Sequence, residues 1–254
     1  SNYYLGVEFT SRAIKCLAGF CLNNQIYVLD KVEADCHGLK NGMIIDEPLV
    51  LKTFQSVVKE IEEHLKIHFT DVTVALPSLN MLCKVDTGTT ITVDGNNVIQ
   101  HVDTMNILTA MKKSNASLYK DLTIIDIVPD TYIINETERY DEEPLGKISQ
   151  SLSLHGAIYA LDTPLVNAVK HLIAQSGLTL KHLVPASHAA ALYLSTKAKM
   201  PESYILLDIG YQLTTVSFVH NKTQIIDSKT ILFGGDDITS EIGRRFNLSY
   251  NEAE

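Results

Sequence analysis

Ile205-Leu206-Leu207-Asp208-Ile209-Gly210-Tyr211-Gln212 is a short apolar run that ends on an acid and a turn. It has a counterpart near the other end of the chain, Tyr4-Leu5-Gly6-Val7-Glu8-Phe9-Thr10-Ser11. Each stretch leads into two further strand-like runs, 13–20 and 25–32 after the first and 214–220 and 224–232 after the second. Apolar runs bounded by turn signals, such as Asn23-Asn24, predict a three-stranded antiparallel meander in each place. Two such units predict two related lobes that face each other across a cleft.

Between them, helical spacing of Phe54, Val57, Val58, Ile61 and Leu65 predicts a helix opened by Asp46, with Glu47 and Pro48 in its first turn. A strand over 71–76 follows, stopped by Pro77. The stretch 78–156 reads as a small β-α-β-β unit: a strand over 87–93, a helix over 102–111, strands over 122–128 and 130–135 around Pro129, and a strand over 152–161. Asp162 is expected to cap the next helix, whose apolar face carries Leu165, Val166, Val169, Leu172 and Ile173, with Gly177 at its end. A strand over 178–184, a helix over 189–196 and a polar hinge over 197–203 complete the connection.

Composition narrows the function. The 254 residues carry a net charge of −9, which disfavours a phosphate backbone as partner, so no nucleic acid is expected. The four cysteines form no CxxC pair and complete no zinc site. Cys16 and Cys21 lie in an apolar stretch and are read as buried free thiols, in keeping with a reducing cytoplasm. No apolar run reaches about 18 residues and no secretory signal precedes the first strand. Ser1-Asn2 reads as a cloning remnant, and Asn251-Glu252-Ala253-Glu254 as the start of a helix that continues in a longer protein.

Three elements carry candidate chemistry. Asp208-Ile209-Gly210 offers backbone N–H groups to phosphate oxygens and an acid to a magnesium ion through water; a plain hairpin turn is the alternative. Glu8-Phe9-Thr10-Ser11 is the matching turn, with Arg12 and Lys15 beside it; Lys15 reads equally as a solvated edge lysine. Gly234-Gly235-Asp236-Asp237 opens a helix, either as an anion site or as a turn capped by Asp237. The acidic run 136–143 reads as a solvated loop, and His188 is a weak candidate near the linker.

The order of these elements resembles the actin-like ATPase superfamily, which includes actin, sugar kinases, MreB, chaperone ATPases and FtsA. Gly6 to Lys15 matches its first phosphate loop and Asp208 to Val216 its second, while Val184-Pro185-Ala186-Ser187-His188-Ala189-Ala190 resembles the start of its linking helix. Within the superfamily the FtsA family is similar over almost the whole chain. The approach from Leu39 to Met43, the strand from Val72 to Pro77, Asp126-Ile127-Val128-Pro129-Asp130-Thr131-Tyr132-Ile133 and Pro144-Leu145-Gly146 carry that likeness. The last two fall in a subdomain peculiar to FtsA.

The resemblance implies an α/β, actin-like (ribonuclease H-like) fold with an inserted small α+β subdomain. Its implied parts are the first lobe (1–78 and 157–200, the latter with the linking helix), the insertion (79–156) and the start of an incomplete second lobe (201–254). It implies ATP and Mg2+ as cofactors, held by Glu8, Thr10, Ser11, Arg12, Lys15, Asp208, Gly210, Tyr211, Gln212, Thr214, Gly234, Gly235, Asp237 and Glu254, with Glu8 and Asp208 on the metal through water. It also implies a cytoplasmic division scaffold that forms head-to-tail filaments and tethers FtsZ to the inner face of the membrane through a C-terminal helix beyond this chain. Late division proteins are the further implied partners.

The loops depart from the family pattern. Glu8 and Thr10 stand where the first loop has Asp and Gly; Tyr211 and Gln212 replace glycines of the second; Thr215 replaces an acid. The run 212–216 resembles the Gln-Thr-Thr-Val variant of Gram-positive FtsA, interrupted by Leu213. No residue stands out as a general base for water, so nucleotide binding is expected ahead of hydrolysis. A PilM-type pilus-assembly protein that binds a membrane-protein peptide is the alternative role, and a phosphotransferase or chaperone ATPase a third.

Overall fold

The computed structural model describes residues 3–23, 25–117 and 119–254. The chain begins with β1 (Tyr3–Phe9), β2 (Ala13–Leu22) and β3 (Gln25–Asp35), paired antiparallel in sequence order as expected. Asn24 of the expected Asn23-Asn24 turn lies outside the described residues. A two-stranded ribbon, β4 (Leu39–Lys40) with β5 (Met43–Ile44), leads into α1 (Glu47–Leu65). Asp46 caps α1 as expected: its Oδ1 accepts the Leu49 N–H at 3.1 Å. Val50, Phe54, Val57, Val58 and Ile61 are buried on one face. Each such side chain contributes about 1.5–3 kcal/mol relative to full exposure.

β6 (Asp71–Leu76) runs parallel to β1, pairing Glu8 with Ala75. Then come β7 (Leu82–Thr92), α2 (His101–Ala116), β8 (Leu122–Ile134), β9 (Glu138–Tyr140) and β10 (Ser151–Asp162), which form a four-stranded sheet in the order β7-β10-β8-β9. The expected break at Pro129 is absent; β8 is one strand with a register shift against β10 there. Proline is tolerated because Val128 O faces Gly156 of β10, so the nitrogen after it faces the other side, where β9 pairs only with residues 132–134.

β10 serves two cores. Leu152, Leu154, Ile158 and Ala160 pack with Ile107 and Met111 of α2. Ala157, Tyr159 and Leu161 turn the opposite way, into the main core. The period-2 alternation of a strand produces this division.

α3 (Thr163–Gln175) buries Leu165, Val166, Val169, Leu172 and Ile173 in the same core as α1. Asp162 stands at its N-cap without capping it; the carboxylate accepts from Asn80 Nδ2 at 3.1 Å instead. β11 (Thr179–Pro185) joins β6 in parallel and completes a five-stranded sheet, β11-β6-β1-β2-β3. α4 (Ala186–Ser195) begins three residues before the expected start at 189, because Pro185 suits the residue that enters a helix.

The second meander is also found, with β12 (Tyr204–Ile209), β13 (Thr214–His220) and β14 (Gln224–Ile231) antiparallel. α5 (Gly235–Phe246) and the short α6 (Tyr250–Ala253) follow. Cys16 and Cys36 are buried, but Cys21 is exposed, contrary to expectation. It lies in the open end of the β2–β3 hairpin beside exposed Leu22 and Ile26. Burial pushes the Cys16 thiol up to about 12, which keeps it protonated and inert.

Tyr159 joins three parts of the fold. Its ring is fully buried, meets the His188 ring edge-on at 4.9 Å, and its hydroxyl accepts the Ile225 N–H of β14 at 2.8 Å. Tyr159→Phe strands that buried N–H, so it is expected to cost about 1–3 kcal/mol of unfolding free energy. Chemical denaturation of both proteins measures the difference.

Candidate functional site

The parallel strands β1, β6 and β11 end at the same edge of their sheet, and ligand crevices in such sheets lie beyond those carboxyl ends. Here that edge meets the β12–β13 turn. The space between is a cavity of about 560 Å³, lined in part by Glu8, Arg12, Lys15, Asp208, Tyr211 and Glu254.

Glu8 sits last but one on β1, directly opposite Lys15 on β2. Its carboxyl pKa is raised from the ordinary 4.5: burial dominates, Lys15 opposes it, and Asp208 and Glu33 add to it. The Asp208 contribution means that the carboxylates of the two turns feel each other across the cavity. Lys15 Nζ lies 3.8 Å from Glu33.

The first turn is held by its own hydroxyl. Thr10 Oγ1 accepts the N–H groups of Ala13 at 2.8 Å and Arg12 at 3.3 Å, and donates to Ala13 O at 3.0 Å. Ser11 is buried, and its Oγ accepts the Gln212 N–H at 3.2 Å. Arg12 donates to Asp35 at 3.0 Å, and its guanidinium lies 4.2 Å from the centre of the Tyr211 ring.

The second turn is closed by the Gly210 N–H donating to Leu213 O at 2.8 Å. Gln212 Oε1 accepts the Asn41 N–H at 2.8 Å, and the buried Thr214 donates its hydroxyl to Phe233 O at 2.7 Å. The start of α5 docks on this turn. The Gly234 N–H donates to Asp237 Oδ2, the Gly235 N–H to Gly210 O and the Asp236 N–H to Tyr211 O, each at 2.9 Å. A Cβ on residue 234 would stand 2.4 Å from Tyr211 O, so only glycine permits the approach.

Of the sequence-predicted residues, Glu8, Thr10, Ser11, Arg12, Lys15, Asp208, Gly210, Tyr211 and Glu254 therefore line one cavity. Gln212, Thr214, Gly234, Gly235 and Asp237 brace its wall from behind, with the N–H groups of 234–236 engaged by the chain itself. Sequence reasoning missed Glu33 and Asp35, which line the cavity, Glu33 opposite Lys15 of β2 and Asp35 bonded to Arg12. Their alternation at the end of a strand was the available signal. It also missed Ser78 and Ser187, which follow β6 and β11 and share a buried hydroxyl contact of 2.7 Å.

The cavity lining holds five carboxylates, Glu8, Glu33, Asp35, Asp208 and Glu254, against two cations, Arg12 and Lys15. Such a lining repels a bare polyphosphate and suits one whose charge is offset by a divalent ion. Among the described residues no three acid, histidine or cysteine side chains converge as a ready metal cage. An ion between Glu8 and Asp208 would need most of its oxygens from phosphate and water, which is how magnesium commonly binds. The residues present thus fit a magnesium–nucleotide.

Residues 161–254 match the family described as Type IV pilus assembly protein PilM. The whole chain aligns with the cell division protein FtsA of Enterococcus hirae at 24% identity and with that of Streptococcus pneumoniae at 20%. It spans 57% and 54% of their respective lengths. Among solved structures, PilM in the PilM-PilN type IV pilus biogenesis complex superposes with a TM-score of 0.62 at 16% identity, covering 98% of this chain and 67% of that one. The ethanolamine utilization protein EutJ from Carboxydothermus hydrogenoformans gives 0.56 at 13% identity, covering all of this chain and 60% of its own. The chain has the actin-like fold found in PilM, and it resembles FtsA from one end to the other.

Proposed function

We propose that the protein is a nucleotide-binding actin-like scaffold of the FtsA type, acting in cell division. The observation that carries the reading is the meeting of the Glu8 and Asp208 turns at the carboxyl ends of parallel strands, in a chain similar to FtsA throughout. The ligand is ATP with Mg2+. Arg12 and Lys15 offset phosphate charge, Glu8 and Asp208 hold the water shell of the ion, and Gly210 lets the backbone approach. Thr10, Ser11, Tyr211, Gln212, Thr214, Gly234, Gly235 and Asp237 shape and brace the two turns, and Glu254 lines the cavity where the ribose would lie. The bound ion supplies the positive charge that the acid-rich lining lacks.

Binding is proposed ahead of turnover, because the Thr10 hydroxyl and the first N–H groups of α5 are engaged within the protein. In the cell, the reading places the protein on the cytoplasmic face of the membrane at the division site. There it assembles with copies of itself, FtsZ and late division proteins, with the membrane reached through a segment outside this chain. Among the described residues no helix is long and apolar enough to cross a membrane.

A second reading, a PilM-type pilus-assembly protein that binds a membrane-protein peptide, is favoured by the family match over 161–254. A fluorescent fusion expressed in the protein's own host separates the two. Septal rings are expected; signal at pilus sites with an empty septum would sink the division role.

Two binding experiments address the cleft. A Cβ on Gly210 would stand 3.0 Å from Leu213 O, so Gly210→Val should weaken Mg-ATP binding about tenfold or more, roughly 1.4 kcal/mol, by calorimetric titration. Equal affinities would remove the second turn from the site. Glu8→Gln tests the metal side. The raised Glu8 pKa makes its contribution to stability fully present below the unfolded value and lost as pH rises through the folded one. Glu8→Gln should therefore raise the Tm at pH 7 by a few degrees, with the gain fading toward about pH 4, while weakening Mg-ATP binding. Calorimetric scans across that pH range check the sign.

A further inference from the structure

Three consecutive residues of the second turn reach over to the first lobe. The Tyr211 ring lies under the Arg12 guanidinium, 4.2 Å from its centre. The Gln212 N–H donates to Ser11 Oγ, and Gln212 Oε1 accepts the Asn41 N–H. Leu213 packs beside Gly42, where a Cβ would come within 2.9 Å of Leu213 Cδ1. Tyr211 and Leu213 also line the cavity, so these contacts lie on its wall.

The ring is not free to swing. The Tyr211 hydroxyl donates to Asp236 Oδ1 at 2.9 Å and meets the Tyr250 hydroxyl at 2.8 Å. The start of α5 is tied to the backbone carbonyls of Gly210 and Tyr211. The second lobe thus presents a fixed aromatic face, and the first lobe closes on it with an arginine that Asp35 also holds. An anchored ring under a guanidinium is a strong form of cation–π contact, because neither partner must be ordered on closing.

We propose that Tyr211, Gln212 and Leu213 form an interlobe clasp on Ser11, Arg12, Asn41 and Gly42 that keeps the cleft closed and slows exchange of its occupant. The inference rests on the nucleotide reading only for the nature of that occupant. Arg12 is the shared group. The clasp stays made over a bound polyphosphate and must open for the occupant to enter or leave.

Two measurements on the 254-residue protein test this. The first needs no nucleotide. Amide hydrogen exchange at residues 36–44 and 208–216 should speed up about fivefold or more in Tyr211→Ala and equally in Arg12→Ala, with no further gain in the double variant. Tyr211→Phe, which keeps the ring and loses its hydroxyl anchors, should fall between. Additive effects, or no effect in either single variant, would overturn the clasp whether or not nucleotide binds. If Tyr211→Ala loses its cooperative melt, Arg12→Ala carries the same comparison from the other lobe.

The second measurement uses fluorescent ATP analogue with magnesium in stopped flow. Release should be about tenfold faster from Tyr211→Ala than from wild type. Unchanged release beside faster amide exchange would overturn the gating role. Wild type that binds no analogue would overturn the nucleotide reading, and amide exchange alone would then decide the clasp.

Discussion

Parallel pairing of β1 with β6, and of β6 with β11, governs the geometry of everything near the cleft. The register sets Glu8, Ala75 and Val184 in one row across three strands. A parallel pair brings like ends together, so the turns that leave β1, β6 and β11 all emerge at one edge. Ser11, Ser78 and Ser187 line the cavity there although they are distant in sequence. The antiparallel strands β2 and β3 then fold back along the same edge and deliver Lys15, Glu33 and Asp35. Without the parallel core, the two acidic turns would have no common side on which to meet.

That core depends on helices that cover it from one side. α1 and α3 contribute ten buried apolar side chains, five each, to a cluster shared with β1, β2 and β6. The four-stranded sheet is attached through β10, whose two faces belong to different cores. His188 marks the join. It is 4% exposed, its Nδ1 lies 2.9 Å from Asp126 Oδ2, and among the described residues its Nε2 has no hydrogen-bond partner. A buried polar ring of this kind ties α4 to β8 with directional contacts that an apolar side chain would not supply.

Several elements are legible in the amino-acid sequence alone. The short apolar runs at 3–9 and 204–209 announce strands, and the spacing of Phe54, Val57, Val58 and Ile61 announces a helix face, because local pattern matches local geometry. Asp46 is legible as a cap for the same reason: its bond to Leu49 spans three residues. Asp162 has the same local credentials and does not cap, since Asn80, 82 residues away, takes its carboxylate. Pro129 has the local signature of a break, yet it lies on the open side of a strand, a position that depends on which neighbour pairs where. The apolar neighbours of Cys21 point to the interior, but the hairpin end on which it lies is not covered.

The sequence by itself determined the two acidic turns, the meanders behind them and the amphipathic helices, because each depends on contacts within a few residues. It also carried the likeness to FtsA. Only the tertiary structure decided which candidate groups line the cavity and which are engaged elsewhere. The N–H groups at the start of α5 read as an open anion site, yet they donate to Asp237 and to the carbonyls of Gly210 and Tyr211. Backbone donors carry no sequence signature of their partner, and neither does a guanidinium that comes to rest on a ring some two hundred residues away.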